Sequence, residues 1–179
     1  MIIAVVGPSG VGKDTLIAGA MAARPDLRLV RRVITRPTAA GGEDFDGVTD
    51  PQFDARLRAG DFALHWGAHG LRYGIPRDAL TGGGTVIFNG SRAALPQAVA
   101  AIPGLRVIQI TAPADILAAR LAARGRETQA DIAARLARGA DGIPAGIPHV
   151  TVMNDGTPEQ GIARLLAAIY PDSGERWIR

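Results

Sequence analysis

The chain has 179 residues, a formal net charge of +3 and 47% hydrophobic residues, the profile of one domain large enough to bury its own core. It has no cysteine, which excludes disulfide scaffolds, thiolate metal sites and thiol chemistry. Basic residues form no block and aromatics are only 4%, which argues against a nucleic-acid partner. No apolar run approaches the ~18 residues of a membrane span, so no membrane partner is expected either.

Ile2–Val6 reads as a buried strand. A glycine-rich loop begins directly after it at Gly7, leaving no room for a secretory leader, so the expected compartment is the cytoplasm. Residues 12–23 read as a helix and 29–35 as a second strand. The polar stretch 36–50, with Gly41, Gly42 and Gly47, reads as a loop. Asp50 is expected to cap a short helix through Arg58, with Pro51 at its first position. Short strands are expected at 62–66 and 71–73, and an apolar strand at Thr85–Asn89 after three consecutive glycines. Ser91 is expected to cap a helix to about Ala101, followed by a strand at 105–110. Pro113 opens a helix to about Ala123, and a second helix covers about 129–138. Val150–Met153 is the last strand, and Thr157-Pro158-Glu159-Gln160 is a capping box that starts the final helix.

Strands alternating with helices predict an α/β fold with a parallel sheet. The polar, short-stranded region interrupts that alternation and reads as an inserted lobe. The expected organisation is a single domain over 1–179, with a core at 1–34, 82–119 and 145–179. A substrate lobe takes 35–81 and an arginine-rich lid 120–144.

Of the 20 basic residues, 19 are arginine and one is Lys13. Lys13 ends the run Gly7-Pro8-Ser9-Gly10-Val11-Gly12-Lys13, between a strand and a helix. That is the phosphate-loop frame in the context it requires. Glycines allow backbone N–H groups to curl around phosphate oxygens, the helix N-terminus favours negative charge, and a compact ammonium reaches the outer phosphates. The position after the lysine, which carries a Mg²⁺-binding hydroxyl in that frame, is Asp14, with Thr15 next. A carboxylate is a good Mg²⁺ ligand, so either Asp14 or Thr15 is the metal residue. The strand Thr85–Asn89 ends in Asn rather than a metal-binding Asp, which makes a carboxylate at 14 easier to understand.

Five blocks in order resemble the guanylate kinase family of nucleoside monophosphate kinases. They are the phosphate loop, Thr35-Arg36-Pro37, Gly60-Asp61-Phe62 with Tyr73-Gly74, the arginine segment from Arg120 to Leu136, and Asn154-Asp155. The resemblance implies a P-loop NTPase three-layer fold with a five-stranded parallel sheet. It implies ATP and Mg²⁺, with Asn154 near the adenine edge. Arg36 and Tyr73 would grip an acceptor phosphate. Arg120, Arg124 and Arg135 would act with Lys13 on the transferring phosphoryl group.

The guanine contacts of that family are missing. Gap-free alignment puts Leu64 at the base-binding glutamate and Asn89 near the base-binding aspartate, and 38–40 lacks the second phosphate-binding arginine. Base donors facing such a site would stay unpaired at about 1–3 kcal/mol each. Lys13-Asp14, Leu64-His65-Trp66 and Asn89-Gly90-Ser91-Arg92 resemble instead the ribose 1,5-bisphosphate phosphokinases of bacterial phosphonate breakdown. That likeness implies transfer of the ATP γ-phosphoryl to the 1-phosphate of ribose 1,5-bisphosphate, giving 5-phospho-α-D-ribose 1-diphosphate. Asn89 and Ser91 are then candidates for the ribose hydroxyls. Arg92, Arg77, Arg72, His65 and His69 are candidates for the distal phosphate. The alternatives are a nucleoside monophosphate kinase of altered base choice and a non-catalytic binding module of the same fold.

Overall fold

The computed structural model describes residues 1–37, 44–123, 133 and 142–171. Five strands form an all-parallel sheet in the order β2-β7-β1-β8-β9: β1 Ile2–Val6, β2 Leu27–Leu29, β7 Thr85–Asn89, β8 Arg106–Thr111 and β9 Val150–Met153. Alternation along β1 divides its apolar side chains between two layers. Ile3 and Val5 join Leu16, Ile17 and Ala20 of α1 (Lys13–Ala23), Leu117 of α4 (Ala114–Ala123) and Leu165 and Ile169 of α5 (Pro158–Ile169). Ala4 and Val6 face the other way, toward Leu95 and Ala98 of α3 (Leu95–Ala101). The result is the three-layer α/β fold expected from the sequence.

A second sheet, in the order β4-β3-β6-β5, builds the lobe from β3 Arg32–Ile34, β4 Phe45–Gly47, β5 Phe62–Ala68 and β6 Leu71–Pro76. β5 and β6 form an antiparallel hairpin, β3 runs antiparallel to β6, and β4 pairs parallel with β3. The helix α2 (Asp50–Arg58) covers one face through Phe53, whose ring lies 4.7 Å from that of Phe62. On the other face Leu64 and Ile75 enter the same apolar cluster as Phe88 and Leu95. The lobe and the central sheet therefore share a core.

Several local readings differ from the structure. The single strand read at 29–35 is two strands in two sheets. Val30 bonds through its N–H to Ile87 O, and the chain then leaves the central sheet at exposed Arg31 to begin β3. The second sheet thus begins at Arg32, ahead of the lobe boundary read from the sequence. The loop read at 36–50 contains β4, whose Phe45 is buried. The cap of α2 is Thr49 rather than Asp50: its hydroxyl accepts from the Gln52 N–H while the Gln52 side chain accepts from the Thr49 N–H. After Ser91, whose side chain makes no capping bond, a 3₁₀ turn at Arg92–Ala94 precedes α3. The capping box at Thr157 and Gln160 forms as read. The helix expected at about 129–138 lies outside the described residues.

Candidate active site

The loop between β1 and α1 is fixed from behind. Gly12 adopts φ 94°, and a Cβ there would come within 2.8 Å of the Asn154 amide nitrogen. Gly7 passes so close to β8 that a Cβ would collide with the Ile110 carbonyl oxygen. Asn154 Nδ2 donates to Val11 O at 2.7 Å, and Arg120 Nη1 donates to Asn154 O at 2.9 Å. These bonds hold the Val11 carbonyl from behind the loop. Lys13 Nζ donates to Gly7 O and Pro8 O at 2.9 and 3.0 Å, which places the ammonium at the mouth of the loop. Asp14 is in the first turn of α1, and Asn89 Nδ2 donates to its Oδ1 at 3.0 Å across the gap between α1 and the end of β7.

One cavity of about 670 Å³ joins this loop to the lobe. Its floor is Gly7, Pro8, Ser9, Gly10, Gly12, Lys13, Asp14 and Thr15. Its far wall is Arg32, Trp66, Ala68, His69 and Tyr73, and its side is Asn89, Gly90, Ser91 and Arg92. This is the C-terminal edge of the parallel strands, where open α/β sheets place their ligands. The far wall is a stack. The Tyr73 and Trp66 rings are nearly parallel at 5.3 Å, and the Arg32 guanidinium lies 5.2 Å from the Tyr73 ring centre. Arg32 Nη1 also donates to Asn89 O at 3.0 Å.

The cavity thus gathers most of the residues picked from the sequence: Gly7 to Gly10, Gly12 to Thr15, Tyr73, Asn89, Ser91 and Arg92. Val11 is fully buried and contributes its carbonyl to the support behind the loop. Asn154 is only 4% exposed and, with Arg120, belongs to that support rather than to the lining. Its Oδ1 is buried without a hydrogen-bond partner. Arg36 lies over the Phe45 ring at 4.3 Å and is not part of the lining. Arg124 and Arg135 lie outside the described residues.

Among the candidates for a second phosphate, Arg92 and His69 line the cavity, whereas Arg72 and Arg77 are engaged elsewhere. Arg72 pairs with Asp54 at 2.7 Å, and Arg77 donates to Phe62 O at 3.0 Å. His65 is not in the lining. Asn89, picked for sugar hydroxyls, spends its amide on Asp14. Leu64 is 1% exposed and part of the core, so the position aligned with a base-binding carboxylate is filled by packing. Asp155, beside Asn154, bonds to Arg164 Nη1 at 2.6 Å, and that guanidinium holds its carboxyl below the usual carboxylate range.

Arg32 and Trp66 also line the cavity and were not among the residues picked from the sequence. The signal for Arg32 was available in two adjacent arginines inside an apolar run. A single buried strand does not accommodate such a pair, whereas a strand break that turns one of them into a cleft does.

No protein-family model matches the chain. It is 52% identical over 175 residues to ribose 1,5-bisphosphate phosphokinase PhnN of Ruegeria sp. (strain TM1040), with 96% of this chain and 92% of that protein covered. It is 46% identical over 175 residues to ribose 1,5-bisphosphate phosphokinase PhnN of Rhizobium etli (strain CIAT 652), with 94% and 89% covered. Among solved structures it resembles guanylate kinase from Anaplasma phagocytophilum, with a TM-score of 0.70 over 99% of this chain and 88% of that one. The identity there is 17%, a likeness of fold alone.

Proposed function

Since the chain belongs to the ribose 1,5-bisphosphate phosphokinase family, we propose that it transfers the γ-phosphoryl group of ATP to the 1-phosphate of ribose 1,5-bisphosphate. The products are ADP and 5-phospho-α-D-ribose 1-diphosphate. The observation that carries this reading is a cavity in which a phosphate loop faces a cationic, aromatic wall while Leu64 is sealed in the core. Such a cavity suits an anionic sugar and offers no carboxylate to a purine edge at that position.

Phosphoryl transfer depends on positioning and charge neutralisation more than on covalent chemistry. The N–H groups of the loop and Lys13 bind the donor phosphates, helped by the N-terminus of α1. An anionic oxygen of the 1-phosphate attacks the γ-phosphorus, and the bond to the β-phosphate oxygen breaks with its electron pair leaving on ADP. A phosphate monoester is already largely ionised near neutral pH, so no general base is needed. Tyr73 lies in the wall where the acceptor phosphate is expected. Arg36, Arg124 and Arg135 are assigned to the acceptor and the transferring group by family position.

The donor set fits Mg²⁺. Among the described residues no group of three or more acidic or histidine side chains forms a metal cage. Mg²⁺ in kinases needs none, being held by one or two carboxylates together with substrate phosphates. Asp14 presents such a carboxylate beside Lys13, with Asn89 holding one of its oxygens. When bound, the ion would neutralise charge on the phosphates; Asp14 would hold it, with Thr15 the alternative ligand. No helix among the described residues is long and apolar enough to cross a membrane, in keeping with action in the cytoplasm on a small-molecule substrate.

The test is ADP release with ATP and Mg²⁺, measured separately with ribose 1,5-bisphosphate and with GMP. Turnover with the sugar bisphosphate alone is expected. Turnover with GMP would refute the reading.

A further inference from the structure

The reaction requires the site to bind two phosphates on one sugar; the loop and the acceptor-phosphate positions account for neither the second phosphate nor the placing of Arg32, which shares the cavity lining with Arg92 and His69. We propose that Arg32 takes the distal 5-phosphate of the acceptor and so selects a sugar bisphosphate over a nucleotide. The proposal rests on the phosphokinase reading above.

Arg32 opens β3, and the pairing of Ile34 with Tyr73 on β6 sets it beside the aromatic wall. Contacts within the protein hold its orientation before any ligand arrives. One face of the guanidinium lies 5.2 Å from the Tyr73 ring centre, and Nη1 bonds to the Asn89 carbonyl at 3.0 Å. A guanidinium held this way loses little rotamer freedom when it takes up an anion. Arg72 and Arg77, the other lobe arginines close to this hairpin, are committed to Asp54 and to the Phe62 carbonyl.

The chemistry also discriminates. A guanidinium offers N–H donors and no acceptor. A purine edge that presents N–H groups would meet donors with donors, whereas a phosphate accepts in a geometry that matches the planar fork. Leu64, sealed in the core, brings no carboxylate of its own to the cavity.

Isothermal titration of the full-length protein with ribose 5-phosphate and with ribose 1-phosphate tests this without requiring turnover. Arg32→Ala should weaken ribose 5-phosphate by about 10- to 100-fold, the loss of a charge-assisted hydrogen bond. Ribose 1-phosphate should weaken far less. Arg32→Lys should recover part of the loss, because charge survives and the fork does not. An equal loss for both sugars would make Arg32 a support for Tyr73. A larger loss for ribose 1-phosphate would make it an acceptor-phosphate ligand, and no loss would remove it from the site; each of these overturns the proposal. Unchanged melting temperature and ATP affinity in both variants exclude general damage. If the unaltered protein failed to turn over ribose 1,5-bisphosphate, the functional reading would fail on its own, separately from the titrations.

Discussion

The 3.0 Å bond from Asn89 Nδ2 to Asp14 Oδ1 ties the metal reading to a measurable quantity. Asn89→Asp keeps the shape and replaces the donor with a carboxylate. Two unit charges about 3 Å apart repel by about 1.4 kcal/mol in water and about 5.5 kcal/mol at an effective dielectric of ~20. Asn89 is only 8% exposed, while Asp14 faces an open cavity beside Lys13, so the cost lies between those limits. Without Mg²⁺ the variant should lose roughly 2–4 kcal/mol, or about 5–15 °C of melting temperature for a chain of this size. A divalent cation bridging the two carboxylates should return much of that loss, and half-saturation should come at lower Mg²⁺ than in the unaltered protein. The assay is thermal unfolding in chelator and across a Mg²⁺ series, with Asn89→Ala as a control that removes the amide without adding charge. A variant as stable in chelator as the unaltered protein would mean that the contact is not formed. A loss that Mg²⁺ does not relieve would refute Asp14 as the metal residue.

Asp14→Ser restores the hydroxyl usual after the loop lysine. It should raise the Mg²⁺ needed for half-maximal ADP release and lower turnover, and unchanged Mg²⁺ dependence would pass the metal role to Thr15. Leu64→Glu, the change that would rebuild a base-binding carboxylate, should cost about 3–5 kcal/mol in urea unfolding because it buries an unpaired charge, and it should confer no GMP turnover. Asn154→Leu removes the shorter of the two hydrogen bonds to the Val11 carbonyl and leaves it only the 3.4 Å contact from Arg120, so it should cost about 1–3 kcal/mol and raise KM for ATP more than it lowers kcat. Arg24 and Arg164 depress the carboxyls of Asp26 and Asp155, and a backbone hydrogen bond and the Thr157 hydroxyl depress that of Glu159. Stability from these groups is complete above the ordinary carboxylate range near pH 4 and is lost as pH falls through their lower folded values. Because the groups are exposed, acid melting curves of Asp26→Asn and Asp155→Asn should differ only slightly from the unaltered protein.

What could be read in the sequence was what local chemistry specifies. The phosphate loop needs a strand, three glycines and a lysine in register, all contiguous, and it formed where the spacing put it. The capping box at Thr157 is likewise a four-residue signal. Readings failed where a distant partner decides. Nothing near 29–35 says that Leu29 pairs with β7 while Ile34 pairs with β6. β4 is three residues long and owes its existence to the neighbouring β3. Gap-free alignment put Leu64 at a base-binding position, but alignment assigns a position and not a direction, and the side chain lies in the shared core. Arg120 and Asn154 were recognised as important, but their partners are 109 and 143 residues away at Val11, too far along the chain for spacing to give the contact.

The packing of Leu64 and Ile75 against Phe88 and Leu95 has a mechanical consequence. The hairpin that carries Trp66 and Tyr73 cannot swing away from the central sheet without opening voids in close-packed apolar material, and interiors of that density resist such deformation. It behaves as the fixed jaw of a vice. Amides of β5 and β6 on that side should exchange with deuterated solvent as slowly as those of β7, as one cooperative unit. Discrimination at this wall is then built into the resting shape, and the substrate fits a template that exists before it arrives.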